Sequence, residues 1–223
     1  MLERGLCGTL MEHPEDLIPP PPIKQLSINK KITLCGPGTK VTALQVIKSG
    51  WAIEYLMSRD GRRQIISFLF DGDMISASNA FSFTSHCTVQ SITDIKVCSF
   101  GNAWLKTHIE SHGNVQERIS TFCFEEKEQV QRKLFELGRC NADERIAFLI
   151  LHLRNRQIDK SMTDGEEMDF PLKQQHLADA MGLTQVHISR VMRRFTDAGY
   201  IESKGNKLII KDLSGLENQV PNV

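Results

Sequence analysis

The sequence predicts an α+β chain: a β-sandwich or barrel first, then a long helix, then a helical pair followed by a small hairpin. Three observations carry this. Between residues 31 and about 100, short apolar runs alternate with turn residues at spacings near ten. From Asn114 onward the apolar spacing changes to steps of three and four. Near the C-terminus, two helical patterns meet at Gly182-Leu183-Thr184, and a basic hairpin pattern follows.

Size and composition bound the function. The 223 residues suit two modest domains. Apolar residues make up 40% and charged residues 24%, as expected of an ordinary globular chain. No apolar run approaches the roughly 20 residues that span a bilayer. The start Met1-Leu2-Glu3-Arg4 lacks the long apolar stretch of a secretory signal, so the expectation is cytoplasmic, without a membrane. No phosphate-loop, dinucleotide, zinc-protease or serine-hydrolase motif occurs, and the chain is not expected to be an enzyme. Asp71 and Asp73 read as turn formers rather than an acid-base pair. The six cysteines (Cys7, Cys35, Cys87, Cys98, Cys123, Cys140) include no CxxC pair and read as reduced thiols. A redox-responsive cysteine and metal ligation are the alternatives.

Residues 1–30 show little periodicity. Pro19 to Pro22 exclude a helix interior or central strand, so this stretch reads as an arm. In residues 31–112 the turns are Cys35-Gly36-Pro37-Gly38, Lys48-Ser49-Gly50, Arg59-Asp60-Gly61 and Phe70-Asp71-Gly72-Asp73. Asp60-Gly61 favours a tight hairpin. Residues 76–85 fit neither template and read as a loop or short helical insert. Residues 113–138 read as one amphipathic helix with Ile119, Cys123, Val130, Leu134 and Leu137 on its stripe, interrupted by Glu126. The stripe suits a self-partner or the chain's own β domain. A second helix starts at Asn141, a cap with Glu144 as its capping-box partner, and buries Ile146, Leu149, Ile150 and Leu153. Residues 154–167 read as a loop or weak hairpin arm.

Residues 139–223 hold the feature that points to function. Gln174 to Met181 has helical spacing, Gly182 can close that helix in a left-handed conformation, and Thr184 can cap the next, which runs to about Ala198. Ile188, Val191, Met192 and Phe195 form its inner face. Gln185, Val186, Ser189, Arg190 and Arg193 share the outer one, a mixture suited to base edges and phosphates. The hairpin Tyr200-Ile201 and Leu208 to Ile210 turns through Lys204-Gly205-Asn206-Lys207, a basic wing. Between Lys173 and Lys211, seven Lys or Arg face three acids, a local charge of +4 in a chain whose net charge is zero.

These residues, with the upstream tracts Gly50-Trp-Ala-Ile-Glu-Tyr, Asp60-Gly-Arg-Arg-Gln-Ile-Ile-Ser-Phe-Leu, Gly72-Asp73 and His86-Cys-Thr-Val-Gln-Ser-Ile-Thr-Asp, resemble the Crp–Fnr superfamily of bacterial transcription regulators. The resemblance spans residues 31–212. It implies a cyclic-nucleotide-binding-like jelly roll as sensor domain, a long dimerisation helix and a winged helix-turn-helix. It places base contacts on Gln185, Val186, Ser189 and Arg190. Val186 stands where many members have Glu, and suits a thymine methyl rather than cytosine N4. Phosphate contacts are expected from Lys173, Thr184, His187, Arg193, Lys204 and Lys207. The Thr184, Val186, His187 and Arg190 arrangement resembles an alphaproteobacterial-type subgroup.

The sensor tract departs from the family. Cyclic-nucleotide binders carry a Gly-Glu pair and then Arg-Ser or Arg-Thr; residues 75–88 hold neither Glu nor Arg, so cAMP binding is not expected. The iron–sulfur branch needs clustered N-terminal cysteines, and only Cys7 and Cys35 lie there, so no cluster is expected. Haem through His86, His108 or His112 is not expected either. No cofactor, metal or effector is assigned. The resulting reading is a homodimeric regulator on an inverted-repeat site in double-stranded DNA, contacting RNA polymerase if it activates. The alternative is an effector- or partner-binding regulatory module with weak or no DNA binding.

Overall fold

The computed structural model describes residues 24–75, 84–104, 107 and 113–221. The described residues divide into two compact units, those up to Gly61 with those of 66–129, and Arg62–Ile65 with those from Val130 on.

The first unit is a jelly-roll-like pair of four-stranded sheets. One sheet runs in the order β1 (Lys24–Ile28), β8 (Ile95–Gly101), β3 (Ala43–Ser49), β6 (Met74–Ile75). The other runs β2 (Thr33–Cys35), β7 (Thr88–Ser91), β4 (Ala52–Met57), β5 (Arg63–Leu69). Alternation along the strands sends Ile47, Ala52, Leu69, Ile75, Val89, Ile95 and Val97 into one core. Gly50 makes the β3–β4 turn possible. Its φ is 89°, and a Cβ there would meet the Asp94 carbonyl oxygen at 2.2 Å. The turn delivers Trp51 to the core, where its backbone N–H donates to Thr93 Oγ1 at 2.8 Å and its ring lies 4.6 Å from that of Phe70.

One reading changes here. β1 pairs antiparallel with β8, from Lys24↔Ser99 to Ile28↔Ile95, so the sheet begins inside the stretch read as an arm. As an edge strand with four exposed residues of five, it carries little hydrophobic alternation to read. Most of the insert at residues 76–85 lies outside the described residues, as do Cys7 and the proline run; Thr84 makes an isolated bridge to Lys40.

The long helix, α1, is Gly113–Arg139. The second unit continues with α2 (Ala142–Asp159), whose N-terminus is the predicted capping box: Asn141 Oδ1 accepts from the N–H groups of Asp143 and Glu144, and Glu144 Oε2 accepts from the Asn141 N–H. α2 runs past residue 154, where the sequence reads as a loop. Its last turns bury Gln157, a residue type that disguises a helix's inner face. The Gln157 amide donates to the Asp169 carbonyl and accepts from its N–H, both at 3.0 Å, and so clamps strand β9 (Glu167–Asp169). β9 joins the expected hairpin of β10 (Ile201–Lys204) and β11 (Lys207–Ile210) as a three-stranded sheet, order β10-β11-β9.

Between α2 and the hairpin lie α3 (Gln174–Met181) and α4 (Gln185–Asp197); a short helix, α5 (Leu213–Glu217), follows β11. Leu177, Ala178, Met181, Ile188, Val191 and Phe195 are buried as expected, and Met192 is half-buried. Phe195 is buried in this core, its ring centroid 6.1 Å from that of Tyr200. Phe195→Ala is expected to lower the unfolding free energy by about 3–5 kcal/mol, measured by urea denaturation.

Candidate nucleic-acid interface

Gly182 ends α3 with φ 63° and ψ 36°, and its N–H donates to the Ala178 carbonyl. Two residues later Thr184 starts α4, its Oγ1 accepting from the His187 N–H at 3.3 Å. The connection is therefore as short as a helix-turn-helix requires. The cap leaves the Thr184 hydroxyl proton free for an outside acceptor, beside the positive end of the helix dipole.

The structure brings the predicted DNA residues to the solvent. Lys173, Thr184, Gln185, Val186, His187, Ser189, Arg190, Arg193, Lys204 and Lys207 are all exposed. Val186 is 58% exposed, a large apolar side chain in water on a helix whose other face is buried.

Ion pairs thin out the local excess of positive charge. Arg194 bonds Asp143, Arg193 lies 3.5 Å from Asp197, and Lys211 lies 3.0 Å from Glu202. Lys207 lies 2.9 Å from Asp169 and 3.6 Å from Glu167. The hydrogen bond to Asp169 holds its ammonium pKa above the usual lysine range. Among the described residues, Lys173, Arg190 and Lys204 are the cations of this region without an ion pair.

Sequence reasoning missed one participant. Gln185 Nε2 donates to Gln175 Oε1, and Gln175 Nε2 donates to Asp179 Oδ1 at 2.5 Å. The signal was available only in hindsight: Gln175 sits in the first turn of the helix before Gln185. His176, next to it, accepts from the Lys173 N–H through Nδ1 at 3.2 Å; burial, then Arg63, pushes its pKa below the usual histidine range.

On α1, Val130 is 49% and Leu134 73% exposed, while Cys123 and Leu137 are half-buried. The Ile119 side chain lies outside the described residues. Phe124 and Phe135, which the stripe omitted, are also exposed. They sit eleven positions apart, three helical turns, and so share a face.

Glu126 explains why the stripe is interrupted. Burial first, and then Glu54 and Asp73, push its carboxyl up to about 7. Glu54 and Asp73 are themselves buried, and Asp73 Oδ2 accepts from the Phe70 N–H at 2.8 Å. Burial, Glu54, Cys35 and Glu126 likewise push the Cys87 thiol up to about 11. His86 is exposed; His108 and His112 lie outside the described residues. Among the described residues, no group of three His, Cys, Asp or Glu is arranged to hold a metal ion.

A raised carboxyl pKa means that the folded state binds the proton more tightly than the unfolded chain. Its contribution is full below the unfolded value near 4.5 and is lost as pH rises through about 7. The thermal midpoint is therefore expected to fall between pH 5 and pH 8. Glu126→Gln should flatten that fall, as followed by circular dichroism.

Comparison with known proteins adds to this geometry. A family model described as a Crp-like helix-turn-helix domain matches residues 144–219, and one described as a cyclic nucleotide-binding domain matches residues 25–112. The chain is 26% identical over 189 residues to the anaerobic regulatory protein of Haemophilus influenzae, covering 85% of this chain and 73% of that one. It is 32% identical over 149 residues to the transcriptional activatory protein AadR of Rhodopseudomonas palustris, covering 66% and 59%. Among solved structures it is similar to FixK2 from Bradyrhizobium japonicum, with a TM-score of 0.81 at 20% identity over 90% of this chain and 98% of that one.

Proposed function

The chain belongs to the Crp–Fnr superfamily of winged helix-turn-helix transcription regulators with a cyclic-nucleotide-binding-like sensor domain, and from that premise we propose that it works as a homodimer reading an inverted-repeat DNA site through α4. Its function is DNA-binding regulation, not catalysis. The observation that carries the finer reading is the two-faced α4: Ile188, Val191 and Phe195 are buried, while Gln185, Val186, Ser189 and Arg190 are exposed. Gln185, Ser189 and Arg190 offer hydrogen bonds to base edges, and Val186 offers apolar contact to a thymine methyl. In this reading Lys173, Thr184, His187 and Lys204, all exposed, contact phosphate. Arg193 and Lys207 join them by exchanging Asp197, Asp169 and Glu167 for phosphate oxygens.

Pairing through the exposed apolar face of α1 brings two copies of α4 to successive major grooves about 34 Å apart. RNA polymerase is the further partner if the protein activates. Among the described residues, no helix is long and apolar enough to cross a membrane.

The test is selection of bound DNA from a random pool by the purified protein, with Arg190→Ala alongside. An inverted repeat enriched by the parent protein and degraded in the variant supports the reading; no enrichment by the parent overturns it. Arg190→Ala should weaken binding by about 1–3 kcal/mol and relax one base position, whereas Lys204→Ala should weaken all sequences alike and lower the salt slope by about 1. Leu134→Glu is expected to halve the molar mass measured by light scattering and to weaken binding to the full site far more than to a half-site.

A further inference from the structure

The first side chain of α4 is not held by α4 alone. Gln185 Nε2 donates to Gln175 Oε1, and Gln175 Nε2 donates to Asp179 Oδ1, one turn further along α3. The other carboxylate oxygen, Asp179 Oδ2, is taken by Arg63, whose Nε donates at 2.7 Å and whose Nη2 lies at 2.6 Å. All four residues belong to the second compact unit.

The chemistry gives this chain a direction. A carboxylate oxygen only accepts, so Gln175 must turn its NH2 group toward Asp179 and its carbonyl toward Gln185. That carbonyl also only accepts, so Gln185 must turn its NH2 group toward Gln175. One N–H of Gln185 is then occupied, and what remains is its carbonyl oxygen and a second N–H. An acceptor beside a donor is the complement of adenine in the major groove, which offers the N6 amino group and N7. Guanine offers two acceptors there, N7 and O6, and sets one of them against the Gln185 carbonyl. Rotating the amide does not solve that mismatch, because it turns the carbonyl toward the Gln175 carbonyl.

Resting on the DNA-binding reading above, we propose that Gln175 and Asp179 are specificity-determining residues: they orient the Gln185 amide so that each half-site carries adenine at the base pair Gln185 faces. Neither needs to touch DNA to do so. They are positioning residues, and the base-reading group is Gln185.

The test is the base preference of the full-length protein at each position of its selected site, measured by competition among duplexes differing at one base pair per half-site. Gln185→Ala identifies the pair that Gln185 reads. At that pair the parent protein should prefer adenine by about fivefold to 150-fold, the ratio equivalent to the 1–3 kcal/mol of a good bidentate contact. Gln175→Leu, at an exposed position, should erase most of that preference and leave the Arg190-dependent position unchanged. Asp179→Asn keeps the shape but allows either amide direction, and should reduce the same preference. A merely structural role would instead weaken all positions together. An unchanged adenine preference in Gln175→Leu, or a parent preference for another base at that pair, overturns the proposal while leaving the DNA-binding reading intact. If Gln185→Ala alters no base preference, the assignment of Gln185 as a base-reading residue fails, and this proposal fails with it.

Discussion

Everything in the C-terminal unit depends on holding one short helix by a single face. α4 has 13 residues, and only Ile188, Val191 and Phe195 are buried. Each such side chain contributes about 1.5–3 kcal/mol on burial. Those few contacts must fix the helix firmly enough for its other side to meet a rigid partner. α2, α3 and β10 supply the packing surface. Gly182 and Thr184 determine how α4 enters it, and Gln157 fastens β9 at the edge of the wing. The outer face is then free to carry groups that folding does not require, including an exposed valine.

The same economy governs charge. A chain of zero net charge presents a basic surface only by spending its acids elsewhere. Several cations that look available in sequence are occupied in the fold: Arg194 by Asp143 of α2, and Lys207 by the two acids of β9. Exposed pairs of this kind contribute little stability. Their effect is to rank the cations. Among the described residues of this region, Lys173, Arg190 and Lys204 have no carboxylate to give up, whereas Lys207 is held by two.

Much of this was legible beforehand because it rests on local rules. The Asn141–Glu144 capping box, the left-handed Gly182, the Thr184 cap and the inner face of α4 each follow from residue type and spacing within a few positions. What escaped depends on distant partners or on polar residues in apolar places. β1 is an edge strand whose pairing with β8 spans some seventy residues of sequence. The end of α2 was hidden because its buried side chain is glutamine. The stripe on α1 omitted Phe124 and Phe135, and its interruption at Glu126 marks the side of the helix burdened by Glu54 and Asp73. Gln175 was invisible for a similar reason: its bond to Gln185 exists only once α3 and α4 are folded together.

On the proposed reading, two copies of α4 enter successive major grooves of one site. Methylation interference on a selected site tests it most directly, because it marks guanines contacted in the major groove. Two symmetric patches of interference are expected, centred about 10 base pairs apart on the same face of the duplex. A single patch, or two at a spacing that puts them on opposite faces, would contradict it.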